Sequence, residues 1–593
     1  MKNIIWYKYL LYAAVALAIG WSLSNKRSVA WLDKVPRFSW TKVSFPYEPD
    51  LRDASGLYET FEDIPDPIQG NISGQIPHWL KGRFLKNGPG MFEFGNQDII
   101  EHLFDGMAMI QRYNVDNRNN NTDSTISRKF IESNVLKMNL MEKRYNTLGS
   151  WEMPPEWTAK DRLMALINDE IADNSNVAMI SLFGHTYATT EITTIHEFNP
   201  DTLETIQIIE LPKVVPALKD LKVMTPHPMQ DPDGTLWNIG MLATPLGPQA
   251  GIFKVPPPTT PKERENPWLK TKLVASIPVS QGFAFPYFHS FFMTPNYLVY
   301  PEQPYVIGDL FKIMWDFVVK GGSFMGTMYW DKNAMTRFKV VEKNTGKLLP
   351  ITYVTEPMAY FHVINAHEEN NHLIIDAPFS SEATYDFMSL STLKAPPEEL
   401  SSIFYDLGKA PRACLRFALP LSTPQFENEV KPIASIGGAK TYLVDSSTVY
   451  LHPEYLAPPG QISNVRFEFP AVSPKFQGLR YSTAYGIEFR KGGPVHGSGI
   501  VKLDVNKKSF VKKWEDESCY VSEPVYVPRP GSSREEEGVV VSTCLDPSKS
   551  KPWTSLVFLT SDLKELGRVE FECLASPASF HGMWVSHQNG DKF

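Results

Sequence analysis

The sequence is poor in the residues that build small or metal-clustered scaffolds. Only four of its 593 residues are cysteine (Cys414, Cys519, Cys544 and Cys573), too few and too scattered for a disulfide framework. There is no Cys-x-x-Cys, so a cysteine zinc site is not expected, and no two of the 13 histidines form a His-x-His pair. His-Glu-x-x-His, the phosphate-binding Gly-x-x-x-x-Gly-Lys-Ser/Thr loop, the Gly-x-Ser-x-Gly elbow and the EF-hand loop are all missing. Nor is there an excess of basic charge: 58 Lys and Arg stand against 66 Asp and Glu, a net charge of −8, which gives no footprint for nucleic acid. Hydrophobic residues at 42% and charged residues at 21% exclude a disordered chain.

What is abundant is turn chemistry and aromatic surface. The chain has 48 Pro and 36 Gly beside 14 Trp, 24 Tyr and 35 Phe. Such a mixture favours strands joined by tight turns. Short strand-like runs recur at 177–182, 270–277, 297–300, 441–444, 538–541 and 555–559. Turn signals separate them, as in Asp231-Pro-Asp-Gly234, Lys343-Asn-Thr-Gly346 and Pro458-Pro-Gly460. The body is too long for one sandwich and suits a propeller of large blades, although no sequence repeat is visible. Helices are expected only in insertions, at 159–171, 307–319 and 397–407.

The N-terminus reads as a separate object. Residues 4–23 form an apolar run with one charge, Lys8, long enough at 1.5 Å per residue to cross a bilayer core. An uncleaved membrane anchor over 1–24 is the favoured reading. Alternatives are a signal peptide, for which Ala16-Leu17-Ala18 is a cleavage-like site, and a mitochondrial presequence. A basic linker over 25–44 then leads into one body, 45–593.

Four histidines sit at proline-rich or aromatic junctions rather than in charged stretches. They are His227 (Thr225-Pro-His-Pro228), His289 (after Phe285-Pro-Tyr-Phe288), His362 (Tyr360-Phe-His-Val-Ile-Asn365) and His581 (Ser579-Phe-His-Gly582). Dispersed from 227 to 581, they could meet only where strands from different sheets converge. Imidazole suits Zn, Cu, Fe or Ni, so the residue type alone names no metal. His367 and His372, flanking Glu368-Glu-Asn-Asn371, read as solvent-facing.

These junctions also carry a resemblance. Gly82-Arg-Phe-Leu-Lys-Asn-Gly-Pro-Gly90 with Phe92-Glu93, and His102-Leu-Phe-Asp-Gly-Met107, resemble the opening signature of the carotenoid cleavage oxygenases. The likeness is greatest to the animal branch of β-carotene oxygenases and the retinoid isomerohydrolase. It continues through Asn199-Pro-Asp-Thr-Leu-Glu-Thr205, Phe467-Glu-Phe-Pro470, Ser522-Glu-Pro524 and Phe580-His-Gly582, covering about 55 to 583. The resemblance implies an all-β fold, a seven-bladed β-propeller with a helical and loop dome over an axial metal site, here with an N-terminal hydrophobic helix added. It implies Fe(II) as cofactor, held by His227, His289, His362 and His581. Glu191, Glu468 and Glu523 fall at the family's carboxylates behind the ligands, and Thr190 and Val177 at its small residues beside the metal; His102 falls at a structural position. The implied reaction is dioxygenase cleavage of a conjugated C=C bond in a carotenoid or apocarotenoid with O2. The alternatives are a retinoid isomerohydrolase on the same iron, a stilbene-type cleaving oxygenase and a non-catalytic carotenoid-binding propeller. A polyene dissolves in lipid, so contact with membrane lipid is expected through the apolar stretch Leu310–Val319. The family's Pro-Asp-Pro-Cys-Lys element is replaced by Pro154-Pro-Glu-Trp-Thr-Ala-Lys160, without a cysteine. The expected address is membrane-associated, on the cytosolic face of the endoplasmic reticulum, with the mitochondrion as alternative.

Overall fold

Strands dominate the computed structural model. It describes residues 31–586 apart from 42–51, 96–97, 119–120, 155, 169–170, 384–387, 408–410, 458–466, 490–496 and 549. The apolar N-terminal run therefore lies outside the described residues, as does the turn at 458–460. The sheets are almost wholly antiparallel and are built mostly from neighbours in sequence. Their register follows the turns: Gly234 and Gly346 both hold φ near +70° to +85°, where only glycine is unstrained, at the two turns expected there. The expected strands are present, most of them longer than the apolar runs that announce them, as in Gly538–Leu545 and Trp553–Thr560.

One pairing closes the molecule. Gly82–Met91, near the start of the body, lies between Met107–Arg118 and the last described strand, His581–Ser586, so early and late parts of the described body share a sheet. Apolar faces of adjacent sheets fill the spaces between them. Phe84, Tyr113 and Ile126 of the closing sheet pack against Val541, Leu556 and Phe558 of the one preceding it, and each such side chain contributes roughly 1.5–3 kcal/mol on burial. Cys519, in the bend before Tyr520–Val521, is joined by a disulfide to Cys544 on the adjacent strand Gly538–Leu545, with a Cα–Cα distance of 5.5 Å. Of the segment read as a linker, residues 31–41 lie against the body: Val35 and Phe38 are buried, and Arg37 pairs with Glu356 at 2.7 Å.

Two helical segments, Ala159–Asn168 and Ile313–Val319, pack on one another. Ala159–Asn168 and Pro397–Leu407 form as the sequence predicts. Asn134–Glu142 was not expected from the sequence, although the Ser133 hydroxyl caps it by accepting the Leu136 N–H. The segment expected to be helical from 307 begins later, because Ile307 is still paired with Phe285. Leu310–Lys312 is α-helical and Ile313–Val319 continues as a π-helix. Phe317 and Val318 are buried with Leu148 and Ala165, while Phe311, Trp315 and Val319 are 68%, 50% and 54% exposed.

Candidate metal centre

Three of the four junction histidines lie in gaps between short strands, and the fourth stands at the start of one. His227 sits in the gap between Leu221–Met224 and Met229–Gln230, two pieces of one edge strand that both pair with Leu236–Thr244. Pro226 and Pro228 lack N–H groups, so they cannot continue the ladder there. His362 lies between Ala359–Tyr360 and Asn365–Glu369, which both pair with His372–Ser380. His289 lies between Phe285–Pro286 and Phe292–Met293, and His581 opens the closing strand opposite Asn87. An interrupted ladder frees a side chain to turn away from the pleat.

One ligand-capable atom from each of the four lies within 4.8 Å of the others. The Nε2 atoms of His227 and His289 are 2.8 Å apart, and those of His362 and His581 are 3.3 Å apart. On three of the four, the opposite ring nitrogen is held by a carboxylate. Nδ1 of His289 lies 2.7 Å from Glu191 Oε1, Nδ1 of His362 is 2.6 Å from Glu468 Oε2, and Nδ1 of His581 is 2.9 Å from Glu523 Oε1. A carboxylate on Nδ1 keeps the proton there and leaves Nε2 as a lone-pair donor. Burial, reinforced by the neighbouring imidazoles, holds His227, His289 and His581 well below the usual histidine range. Neutral imidazole is the form that binds a metal. Burial also raises Glu191 and Glu523 above the ordinary carboxylate range. The donor set fits one divalent transition metal: four neutral nitrogens, with anions behind three of them.

The carboxylates are themselves positioned by breaks. Glu468 precedes a bulge, with Phe469 at φ 50° donating its N–H to Glu468 Oε2 at 2.9 Å. Glu523 lies between Tyr520–Val521 and Val525–Pro528, both paired with Gly538–Leu545, and accepts the Gly582 N–H at 2.6 Å. Glu191 follows His185–Thr189 and accepts from the hydroxyls of Tyr287 and Thr190, each at 3.2 Å. Thr190 and Glu191 also line a largely apolar cavity with Phe104, Leu148, Trp151, Phe285, Tyr287 and Phe288. The Glu191 side chain is partly accessible from this internal space.

Several contacts were invisible in the sequence. Phe361 stacks on His289 with centroids 3.8 Å apart, and Phe469 lies against His362 and His581. Tyr287 stands two residues before His289, on the same side of extended chain, and that spacing was the available signal. His102 is outside the cluster, stacked on Trp151 at 4.4 Å. His367 is not solvent-facing: it is buried on Asn365–Glu369, paired with Ile374, and only Asn370 and Asn371 of the polar residues after it belong to the turn.

A family model described as retinal pigment epithelial membrane protein matches residues 58–586. The chain belongs to this family of carotenoid cleavage oxygenases. Relatives named "carotenoid-cleaving dioxygenase, mitochondrial" include one from Macaca fascicularis, 32% identical over 548 residues, spanning 89% of this chain and 94% of that one. Another, from Homo sapiens, is 31% identical over 548 residues, 89% of this chain and 90% of that one. Among solved structures, a point variant of the Synechocystis apocarotenoid oxygenase superposes with a TM-score of 0.67 at 18% identity, covering 90% of this chain and 98% of that one. A chimera of that oxygenase with RPE65 gives 0.69 at 17% identity over the same shares. A cobalt-substituted form of the Synechocystis oxygenase is also similar, at 0.68. These structures share the fold.

The expected address on the cytosolic face of the endoplasmic reticulum is overturned by these relatives, which are named mitochondrial. Among the described residues no helix is long and apolar enough to cross a membrane. On sequence the presequence reading ranks below the anchor because the run at 4–23 is long and apolar and lacks early arginines.

Proposed function

We propose that the chain is an Fe(II)-dependent dioxygenase that splits one conjugated C=C bond of a carotenoid or apocarotenoid into two carbonyl products, in the mitochondrion. The reading is supported above all by four imidazoles backed by three carboxylates beside an apolar, aromatic cavity. Relatives of similar length that are named carotenoid-cleaving dioxygenases support it independently. His227, His289, His362 and His581 are the proposed ligands, arranged at the centre of a seven-bladed propeller under a helical and loop dome. Bound there, Fe(II) supplies coordination positions left open for O2.

The remaining work falls to the chain's own groups. Glu191, Glu468 and Glu523 orient the ligand rings and keep each Nδ1 proton in place. Thr190, beside Glu191, narrows the approach to the centre and ties its hydroxyl to that carboxylate. Phe285, Tyr287 and Phe288 offer flat apolar surface to a polyene and exclude water from it. The exposed Phe311, Trp315 and Val319 form a surface through which a lipid-dissolved substrate is taken up.

The test is isotopic. Purified chain incubated with a polyene under 18O2, with rapid trapping of aldehydes, should carry label in both carbonyl halves. Anaerobic conversion of a retinyl ester to a cis-retinol, without polyene cleavage, would instead identify an isomerohydrolase, whose new oxygen comes from water. Stoichiometric binding of intact carotenoid with no product would identify a carrier.

A further inference from the structure

The proposed iron centre is short of positive charge. Four neutral imidazoles add nothing, the dication contributes two positive charges and the three carboxylates three negative ones, so one negative charge is left in a closed site. Unbalanced charge in a low-dielectric interior costs several kcal/mol.

Lys86 lies where that charge could be balanced. It is on Gly82–Met91, directly opposite Gly582 in the closing strand and next to the Asn87–His581 pair. Its side chain is fully buried, and among the described residues its Nζ has no hydrogen-bond partner. Its Nζ lies over the Phe84 ring, 5.8 Å from the centroid, and, with the side chain fully buried, the amine does not snorkel to solvent. Glu523 is the acidic group whose field acts on it, and Lys86 is the first cation acting on Glu523 in return. Space for the stem comes from Gly582, since a Cβ there would lie 2.9 Å from Lys86 Cδ and 3.0 Å from the Phe84 ring. The glycine after His581 thus donates its N–H to Glu523 and makes room for the lysine. The other two carboxylates are served differently: Glu191 by hydroxyls, Glu468 by the Phe469 N–H.

We infer that Lys86 is the buried counter-ion of the metal centre, acting through Glu523 to make the loaded site neutral and so to favour the ferrous over the ferric state. The inference rests on the iron reading above and adds a residue outside the ligand set. A unit charge about 10 Å away, acting through an effective dielectric near 20, shifts such an equilibrium by roughly tenfold.

The experiment uses full-length protein loaded anaerobically with iron, with metal content by elemental analysis and the ferric fraction by electron paramagnetic resonance after equilibration without substrate in a mediated redox buffer of fixed potential. Lys86→Met should raise the ferric-to-ferrous ratio by roughly tenfold, whereas Lys86→Arg should match wild type. Glu523→Gln should shift the ratio the opposite way, and Lys86→Met/Glu523→Gln, which removes one charge of each sign, should return it towards wild type. Lys86→Gln replaces Lys86→Met if the latter does not fold. A folded neutral variant with the wild-type ratio, or a double variant more oxidised than Lys86→Met, overturns the role of Lys86. Wild-type protein that binds no iron overturns the iron reading itself, an outcome distinct from the other two.

Discussion

Replacing Glu468 tests whether a carboxylate behind a ligand acts through its charge, its shape or neither. The Nδ1–H of His362 and the N–H of Phe469 both point at one oxygen, Glu468 Oε2, at 2.6 and 2.9 Å. Glutamine can place its own oxygen there and keep both bonds, so Glu468→Gln removes the charge and leaves the geometry. Hydrogen bonds to a charged group are worth about 1.5–3 kcal/mol and neutral ones about 0.5–1.5, so the expected loss is about 1–1.5 kcal/mol, roughly tenfold in metal affinity. Glu468→Ala removes the acceptor as well, frees the His362 ring and strands a Phe469 N–H, which adds about 1–3 kcal/mol. It should therefore cost about a hundredfold, the upper end for residues that orient a ligand. Affinity is measured by competition with a coloured chelator, with circular dichroism as the control for folding. Two results would refute the reasoning: wild-type affinity in Glu468→Gln, or equal losses in the two variants.

Three further outcomes are expected. His362→Ala should lose both metal and turnover, since three imidazoles no longer enclose the site; activity at the wild-type level would remove His362 from the ligand set. Phe311→Ser, Trp315→Ser and Val319→Ser together should release the protein from lipid vesicles in a flotation assay without lowering its melting temperature, whereas Phe317→Ser should unfold the helical segment because Phe317 is buried. Burial raises Asp105 to about 7, and burial with the Asp105 charge raises Glu152 to about 8. The folded chain thus holds protons that the unfolded chain has released, so the stability these groups contribute is complete below about pH 4 and is lost as pH rises through about 7 and 8. Glu152→Gln should then stabilise the protein by about 1–3 kcal/mol near pH 9 and by little near pH 5; a pH-independent change in melting temperature would contradict this.

The four histidines were legible because of where they stand. Proline and aromatic residues around His227, His289 and His362 mark the breaks in strands that the structure reveals at these positions. The strands were legible from apolar runs and turns, although the pairing of Gly82–Met91 with the last described strand was not, since nothing local specifies so distant a partner. The same reason hid Lys86 and Phe361, which matter through side chains brought by neighbouring sheets. His367 was misread because the polar residues Glu368 to Asn371 that follow it, partly strand and partly turn, were taken as its own surroundings. The 310–319 segment was read as one exposed apolar patch, whereas its helical turns place Phe311, Trp315 and Val319 outside and Phe317 and Val318 inside.

Breaks in the ladder explain why the site can exist at all in a protein made of strands. In an unbroken strand side chains alternate between faces and cannot be aimed along the sheet. An edge strand is also the one place where a ladder can be interrupted without stranding groups on both sides, and exposed edges otherwise invite pairing with other chains. Here edge strands carry His227, His362, Glu468 and Glu523, each at a gap or bulge. The hydrogen bonds given up are partly replaced by contacts to the site residues themselves, as where Glu523 accepts the Gly582 N–H and Glu468 that of Phe469. It follows that the carboxylates anchor backbone as well as imidazole. Their removal should loosen the strand breaks even in metal-free protein, a coupling that hydrogen exchange at Phe469 and Gly582 would register directly.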